Sequence, residues 1–400
     1  MTIQHKLTGF FLMIGLLSPL FAGQILSVAE TLTTSGAREV TPFKLNHEQF
    51  LAVAQLAEDI PDTPANMNGG NSDIAVVIFK KQSGGYKEYQ RIPSHGNESV
   101  EFFTIDNNAF LAVASIRSGP HAPYNMNTYS KLYHWDGHYF YPVQQFFTFA
   151  AKQWHYFTIG NRRFLAVANG VTAGEANTRD ANTNSMVYEW DGRQFKPFQS
   201  IPSQWAYSFE TFNMDGQHYL ALADHLKQSS LYRWNGQEFI SVQLFKGNGG
   251  RAFKFFTIAD KHYLAYANIS NDSVVYKWNG KQFVSYQTLK GAGGRNFAFF
   301  TRDGHYYLLR INFILGDRTN PETALSSPLY EWKKDRFMVV ETIPTFGGVS
   351  AALFANAGQT FIAVANSLSA DRRFRVDSVI YRINTAAKYG RAIQTLENPE

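Results

Sequence analysis

The 400-residue chain contains no cysteine. Disulfides, thiolate metal sites and cysteine nucleophiles are therefore excluded, and so is a lipid-modified cysteine behind a leader. Charge is sparse too: 37 Lys and Arg against 32 Asp and Glu make up 17% of the chain and leave a net charge of +5. That thin excess falls short of the dense basic stripes that nucleic acid requires. Long hydrophobic runs are also missing. The longest candidate, Gly9 to Leu17, is shorter than the roughly 20 residues of a spanning helix, so no membrane span is expected in the mature chain. Lys6 precedes this run, Ser18-Pro19 breaks it, and Ser27-Val28-Ala29 places small residues at the minus three and minus one positions of a cleavage site. The pattern predicts a signal peptide over residues 1–29, removed before Glu30, and a secreted or periplasmic product. Stability then has to come from packing alone, and with 44% hydrophobic and 16% aromatic residues the composition is globular.

What the chain has in quantity is repetition. An aromatic residue heading a Phe-Leu-Ala-Val-Ala type run recurs at Phe50, Phe110, Phe164, Tyr219, Tyr263, Tyr307 and Phe361, with a minimal spacing of 44 residues. Five residues before each ends a Phe-x-[Ile/Leu] type element, such as Phe103-Thr104-Ile105. A Ser-x-[Leu/Val]-Tyr-x-Trp element follows, clearest from Ser130 to Trp135 and from Ser273 to Trp278, and then Phe-x-x-x-Gln-x-[Ile/Leu], as from Phe195 to Ile201. Each element is a short stretch rich in β-branched and aromatic residues, which predicts strands. Asp136-Gly137, Asp191-Gly192, Asn235-Gly236 and Asn279-Gly280 join the third strand to the fourth, while Asp215-Gly216 and Asp303-Gly304 join first to second. Such pairs supply the positive φ of tight hairpin turns. Four antiparallel strands repeated seven times predict an all-β, seven-bladed propeller over residues 37–396, with 30–36 a short lead-in and 397–400 a tail. Ile393 to Leu396 roughly matches the fourth-strand pattern and would complete the last blade, unless the chain ends share that blade.

This set of motifs at this period resembles the EPTP repeat, also called the EAR or epilepsy-associated repeat, found in the epitempin family and in bacterial proteins of little-known role. The resemblance covers about residues 37 to 396. It implies a seven-bladed propeller that binds other extracellular proteins and is not known for catalysis. The first and seventh copies lack the third-strand Trp, and Lys333-Lys334 replaces the turn of the sixth.

Because strands alternate in direction, the second-to-third connections, which carry all the long insertions, share a face with the links between blades. Loops on a rigid scaffold are where binding concentrates. In register before each first strand stand Ala37, Asn97, Ala151, Ala206, Gly250, Gly294 and Gly348, small residues suited to crowding near an axis. The next position holds Arg38, Glu98, Lys152, Tyr207, Arg251, Arg295 and Val349. Four basic residues on one face form either a cationic mouth for an acidic glycan or a carboxylate-rich protein loop, or the solvated ends of strands, where substitution costs little stability. Trp205, beside this row, can stack on a sugar or anchor a partner or pack between blades; Trp154 also lies outside the recurrent Trp column. Three positions further along come Glu101, His155, Glu210 and Lys254: the two glutamates and the histidine could bind a divalent ion or do acid–base work as in a glycosidase or lyase, or His155 and Lys254 pair with the carboxylates as a buried network. HExxH, P-loop, GxSxG and dinucleotide fingerprints are missing. No cofactor, no metal and no catalytic residue is therefore assigned, and the expected function is an exported binding or adhesion module.

Overall fold

A computed structural model describes residues 24–173, 179–180 and 184–385. Seven four-stranded antiparallel sheets surround a common axis, each made of strands A to D from the inside outward. The first blade consists of β2 (Ala37–Leu45), β3 (Glu48–Gln55), β4 (Val76–Gln82) and β5 (Gly85–Ile92). The next five follow the same order, and no helix occurs among the described residues. The seventh differs. Its strands A to C are Gly348–Asn356, Gln359–Asn366 and Ser378–Ile383, and its outer strand is β1 (Leu26–Leu32), paired antiparallel with Ser378–Ile383. The two ends of the chain thus share a blade. The Ile393 to Leu396 match lies outside the described residues, and the place expected for it is taken by β1. The cleavage point expected before Glu30 falls inside this strand.

The fourth-strand motif explains why β1 fits there. Gln90 accepts from the Phe140 N–H at 3.0 Å and donates to the Phe140 carbonyl at 2.8 Å, so one carboxamide clasps the outer strand of the next blade. Gln144 holds Phe195, Gln199 holds Phe239, Gln243 holds Phe283 and Gln287 holds Phe337 in the same two-bond way. Aligned with Phe195 to Ile201, β1 reads Leu26-x-x-x-Glu30-x-Leu32. Glu341, in the Gln position of the sixth blade, accepts from the Ile25 and Leu26 amides at 2.7 and 3.2 Å. Glu30 accepts from the Tyr86 N–H and from Lys81 Nζ, the latter at 2.6 Å. The clasp therefore runs round the ring through β1.

The other motifs also act between elements. Each third-strand Trp packs on the second-strand aromatic of the preceding blade: Trp190 lies 5.8 Å from Phe110, Trp234 5.7 Å from Phe164 and Trp332 5.2 Å from Tyr263. Such contacts add about 0.5–1.5 kcal/mol each beyond burial. In six blades the motif serine holds the base of the second-to-third connection: Ser185, Ser229 and Ser273 accept from amides at the end of their second strands, at Asn169, Asp224 and Asn268, and Ser130, Ser327 and Ser378 do the same. Trp154, outside the recurrent Trp column, is fully buried in the core between the second and third blades. The turns are of two kinds. At Asp215-Gly216 both residues have positive φ, as a two-residue hairpin needs. At Asp136-Gly137 only the glycine does, and the Asp136 carboxylate accepts from the His138 and Tyr139 amides. Contrary to expectation, the Asp and Asn of the third-to-fourth turns act as side-chain caps of longer turns.

Closure predicts a specific sensitivity. Glu341→Ala strands the Ile25 and Leu26 amides in a half-buried joint and should cost about 2–4 kcal/mol at roughly 1–2 kcal/mol per orphaned donor, whereas Gln287→Glu should cost less because one of its two bonds survives. Removing residues 24–32 should abolish the single cooperative melt, as read by calorimetry. An unchanged melt would show that the ring does not depend on β1.

Candidate functional site: a cationic floor in a loop-walled basin

The row of residues following the small positions is set by backbone irregularity. Ala37 pairs with Gln55 but Glu39 pairs with Ala54, so Arg38 has no partner on the neighbouring strand. The same shift recurs at Glu98, Tyr207, Arg251, Arg295 and Val349. A bulge re-aims the extra side chain; here it turns the row toward the axis, at one mouth of the channel. Lys152 joins it from just before its strand, its amide held by the Ala168 carbonyl at 2.8 Å. The small residues beside the row are required sterically: a Cβ on Gly250 would come within 2.6 Å of the Asp224 carbonyl and the Tyr266 hydroxyl.

The structure brings Arg38, Lys152, Arg251 and Arg295 together, around Glu98 and Tyr207. Lys152 Nζ lies 3.0 Å from the Glu98 carboxylate, with Arg38 Nε at 3.7 Å and Arg295 Nη2 at 3.8 Å. Arg251 stacks on the Tyr207 ring at 3.8 Å, and Arg295 and Lys152 approach the same ring at 4.8 and 5.0 Å. These are not solvated strand ends. Arg251 is 2% and Glu98 4% exposed, and all four cations are buried, so substituting them should not be neutral. Burial alone would raise the Glu98 carboxyl, but Lys152, Arg38 and Arg295 outweigh it and hold it at about 2. Burial likewise opposes ionisation of Tyr207, yet Arg251, Lys152 and Arg295 bring the phenol down to about 8. His225 is driven to about 3 by burial, then by Arg251, Arg318 and Lys152, and stays neutral. Acid and base alike report one strongly positive field.

Above this floor opens a cavity of about 1140 Å³. Its walls come from the insertions, through Met67, Met126, Val171 and Arg318 among others, so the basin mixes apolar sides with a cationic base. Trp205 stands at its edge, 5.1 Å from His225 and 6.0 Å from Tyr207, with the Arg318 guanidinium over its ring at 5.7 Å. Arg318 was not among the sequence candidates, because it lies on an insertion and has no place in the repeat register. Arg117 was missed for the same reason. It stacks on Tyr124 at 3.8 Å and donates to Ser72, Asn68 and Gly69, tying the first insertion to the second.

Further along the inner strands, Glu101, His155, Glu210 and Lys254 join one blade to the next. Glu101 accepts from the Tyr156 amide at 2.9 Å, His155 Nε2 meets the Thr211 hydroxyl at 2.8 Å, and Glu210 accepts from Phe255 N and Lys254 Nζ at 3.1 and 3.0 Å. Glu39 does the same for Val100 N at 3.0 Å. Burial raises Glu101 to about 8 and Glu39 to about 7, the amide bonds opposing only in part, while burial lowers His155 to about 4. This is the paired-network alternative for the set, with Glu101 and His155 uncharged at neutral pH.

Ring, bulged row and loop-walled basin together define a repeat propeller with a recessed axial site. The chain belongs to the EPTP domain family, whose model matches residues 86–136, 140–191, 194–235, 238–279 and 336–384, more than half of its length. Each match begins on an outer strand and ends on the third strand of the following blade. The repeat and the blade are thus offset by one strand, the same offset by which β1 supplies the outer strand of the seventh blade. The chain is similar to the thrombospondin-type laminin G domain and EAR repeat-containing protein of Homo sapiens, 32% identical over 160 residues, and to that of Mus musculus, 30% identical over 159. The match takes in 39% of this chain but only 22% of each of those proteins. Among solved structures, a chain in the crystal structure of BBS1N in complex with ARL6DN matches over 91% of this chain and 98% of its own, with a TM-score of 0.56 and 10% identity. That likeness shows the fold alone.

The neutral carboxyls generate a prediction with a definite sign. A carboxyl raised to about 8 in the fold contributes stability below its unfolded value of about 4.5, and that contribution is lost as pH rises through 8. Glu101→Gln keeps an acceptor for Tyr156 N and cannot ionise. It should melt like the parent near about pH 4 and above it near about pH 9; thermal melts across that range check this.

Proposed function

We propose that the propeller is a non-catalytic recognition module that receives an extracellular partner, a carboxylate-rich protein loop or an acidic glycan, in the basin on its loop-bearing face. The observation that carries the reading is the basin itself: about 1140 Å³ of recess with apolar insertion walls over buried cations. Apolar burial supplies affinity, and focused charge selects the partner and speeds encounter. Membership of the EPTP family supports protein interaction as the general role. A glycosidase or lyase reading finds less support, because Glu101, Glu210 and His155 are each committed to hydrogen bonds between blades.

Partner capture from the native extracellular milieu tests this. The substitutions Asn68→Glu and Arg318→Glu put negative charge on the basin wall against an anionic partner and should each reduce capture about tenfold, while Lys281→Glu on the opposite face should not. Equal capture by all three variants overturns the basin as the recognition site, and turnover on a glycan panel that Glu101→Gln abolishes would restore the enzyme.

Export is part of the same proposal. Lys6 and the Gly9 to Leu17 run support a cleaved leader. Because Glu341 holds the Ile25 and Leu26 amides, cleavage should fall earlier than Glu30, leaving a mature chain that begins at or before Gln24. Sequencing the N-terminus of the exported protein decides between the two positions.

A further inference from the structure

We propose that the floor of the basin is a binding site for a single oxyanion group, a sulfate, phosphate or carboxylate, held between Arg251 and Arg295 beside Tyr207. The inference deepens the reading of the basin as the recognition site and shares its location, but it stands on the charge and hydrogen-bonding capacity of the floor. It does not depend on which molecule covers the rim.

Charge is the first observation. Arg38, Lys152, Arg251 and Arg295 carry four positive charges against the one carboxylate of Glu98, all of them buried and all lining the cavity. Glu98 lies nearest Lys152 and is shared with Arg38 and Arg295, whereas Arg251 faces the Tyr207 ring and has no carboxylate within ion-pair distance among the described residues. A buried charge without a counter-charge is costly, and an entering anion recovers that cost.

The second observation is independent of charge. Three guanidiniums bring roughly fifteen N–H donors to one wall. Among the described residues the hydrogen bond they make is that of Arg251 Nη1 to the adjacent Gly250 carbonyl, at 3.1 Å. Arg38 Nε is buried with no acceptor in reach, and its approach to Glu98, like that of Arg295, is 3.7–3.8 Å, too long for a hydrogen bond. Planar forks rich in donors and poor in acceptors match the oxygens of a carboxylate or a tetrahedral oxyanion. An occupant seated under the apolar walls would displace water from the floor and so strengthen such bonds.

Third, the site carries its own reporter. Tyr207 faces Arg251, Arg295 and Lys152, with the Glu98 carboxylate, the neutral His225 ring and Arg318 as the further titratable and charged groups nearby. An anion seated among the first three takes up field that now favours the phenolate, so occupancy should move the phenol upward from about 8.

The test uses the full chain at constant ionic strength, with chloride exchanged for sulfate, phosphate or malonate. The expected result is a melting temperature that rises saturably with the anion, as ligand linkage requires, and a Tyr207 phenolate absorbance that appears at higher pH with anion present and is lost in Tyr207→Phe. Arg251→Gln and Arg295→Gln should each weaken the apparent affinity by roughly tenfold or more. Glu98→Gln removes the internal counter-charge; it should bind the anion more tightly and regain with sulfate the stability it loses in chloride. A stronger response to sulfate and phosphate than to malonate assigns the natural group to a sulfated or phosphorylated ligand, and the reverse order assigns a carboxylate. Melts that track ionic strength alone, or a saturable shift that survives Arg251→Gln with Arg295→Gln, overturn the site. If the arginine variants fail to fold, the Tyr207 titration with and without sulfate still decides. Rim variants that lose the partner but keep the sulfate shift would separate failure of the docking reading from failure of this one.

Discussion

One side-chain clasp, made between every pair of neighbouring outer strands, is the interaction on which the ring depends. A glutamine amide offers one acceptor and one donor, and it meets the N–H and C=O of the next blade's opening residue, as Gln199 does at Phe239. At both joints of the seventh blade the partner offers two donors instead. Ile25 and Leu26 present amides to Glu341; Tyr86 N–H and Lys81 present theirs to Glu30. A carboxylate turns an acceptor oxygen toward each donor, whereas a carboxamide would set its NH2 against one of them. The two exceptions to the motif thus have a cause in the hydrogen-bond partners supplied where the chain begins and ends its circuit.

A ring held at its periphery and packed with aromatics between blades can tolerate local irregularity at its axis. The bulges before the inner strands interrupt pairing in six blades, yet each preceding residue still pairs, as Ala37 does with Gln55. They bring like charges into a confined space, an arrangement that lowers stability on its own. Glu98 offsets part of this, and the cation–π contacts with Tyr207 another part. The remainder is borne by the rest of the fold, the usual relation between a binding site and its scaffold.

The fold was legible because each strand type carries a motif with a job that repeats: the Trp that packs backward, the Ser that holds a neck, the Gln that clasps forward. β1 was not legible as a strand. Leucine replaces its leading Phe and glutamate its Gln, and the small residues of Ser27-Val28-Ala29 match a leader's cleavage site as readily as an outward-facing strand edge. Register along the repeat also placed Arg38, Lys152, Tyr207, Arg251 and Arg295 on one level of the axis. It could not give their depth, since alignment fixes height and direction but not how far neighbouring insertions close over a residue. For the same reason Arg318 and Arg117, supplied by those insertions, had no signal in the repeat.

Glutamates along the inner strands show what the positive mouth does to the channel as a whole. Glu98, at the level of the cations, is held ionised at about 2, while Glu101, three residues further along the same strand, is raised to about 8 and stays neutral. Burial acts on both in the same sense; Lys152, Arg38 and Arg295 face only the first strongly enough to reverse it, and Glu39, itself raised to about 7, adds to the rise of the second. Burial therefore leaves a carboxylate ionised among the cations and a carboxyl three residues further along the same strand neutral. At the proposed site an anionic group would meet Arg251 and Arg295 before it reached the level of Glu101. Had the inner carboxyls been ionised, they would have cancelled the floor's field from below. Glu101, kept neutral by burial, does not oppose the field of the floor from below.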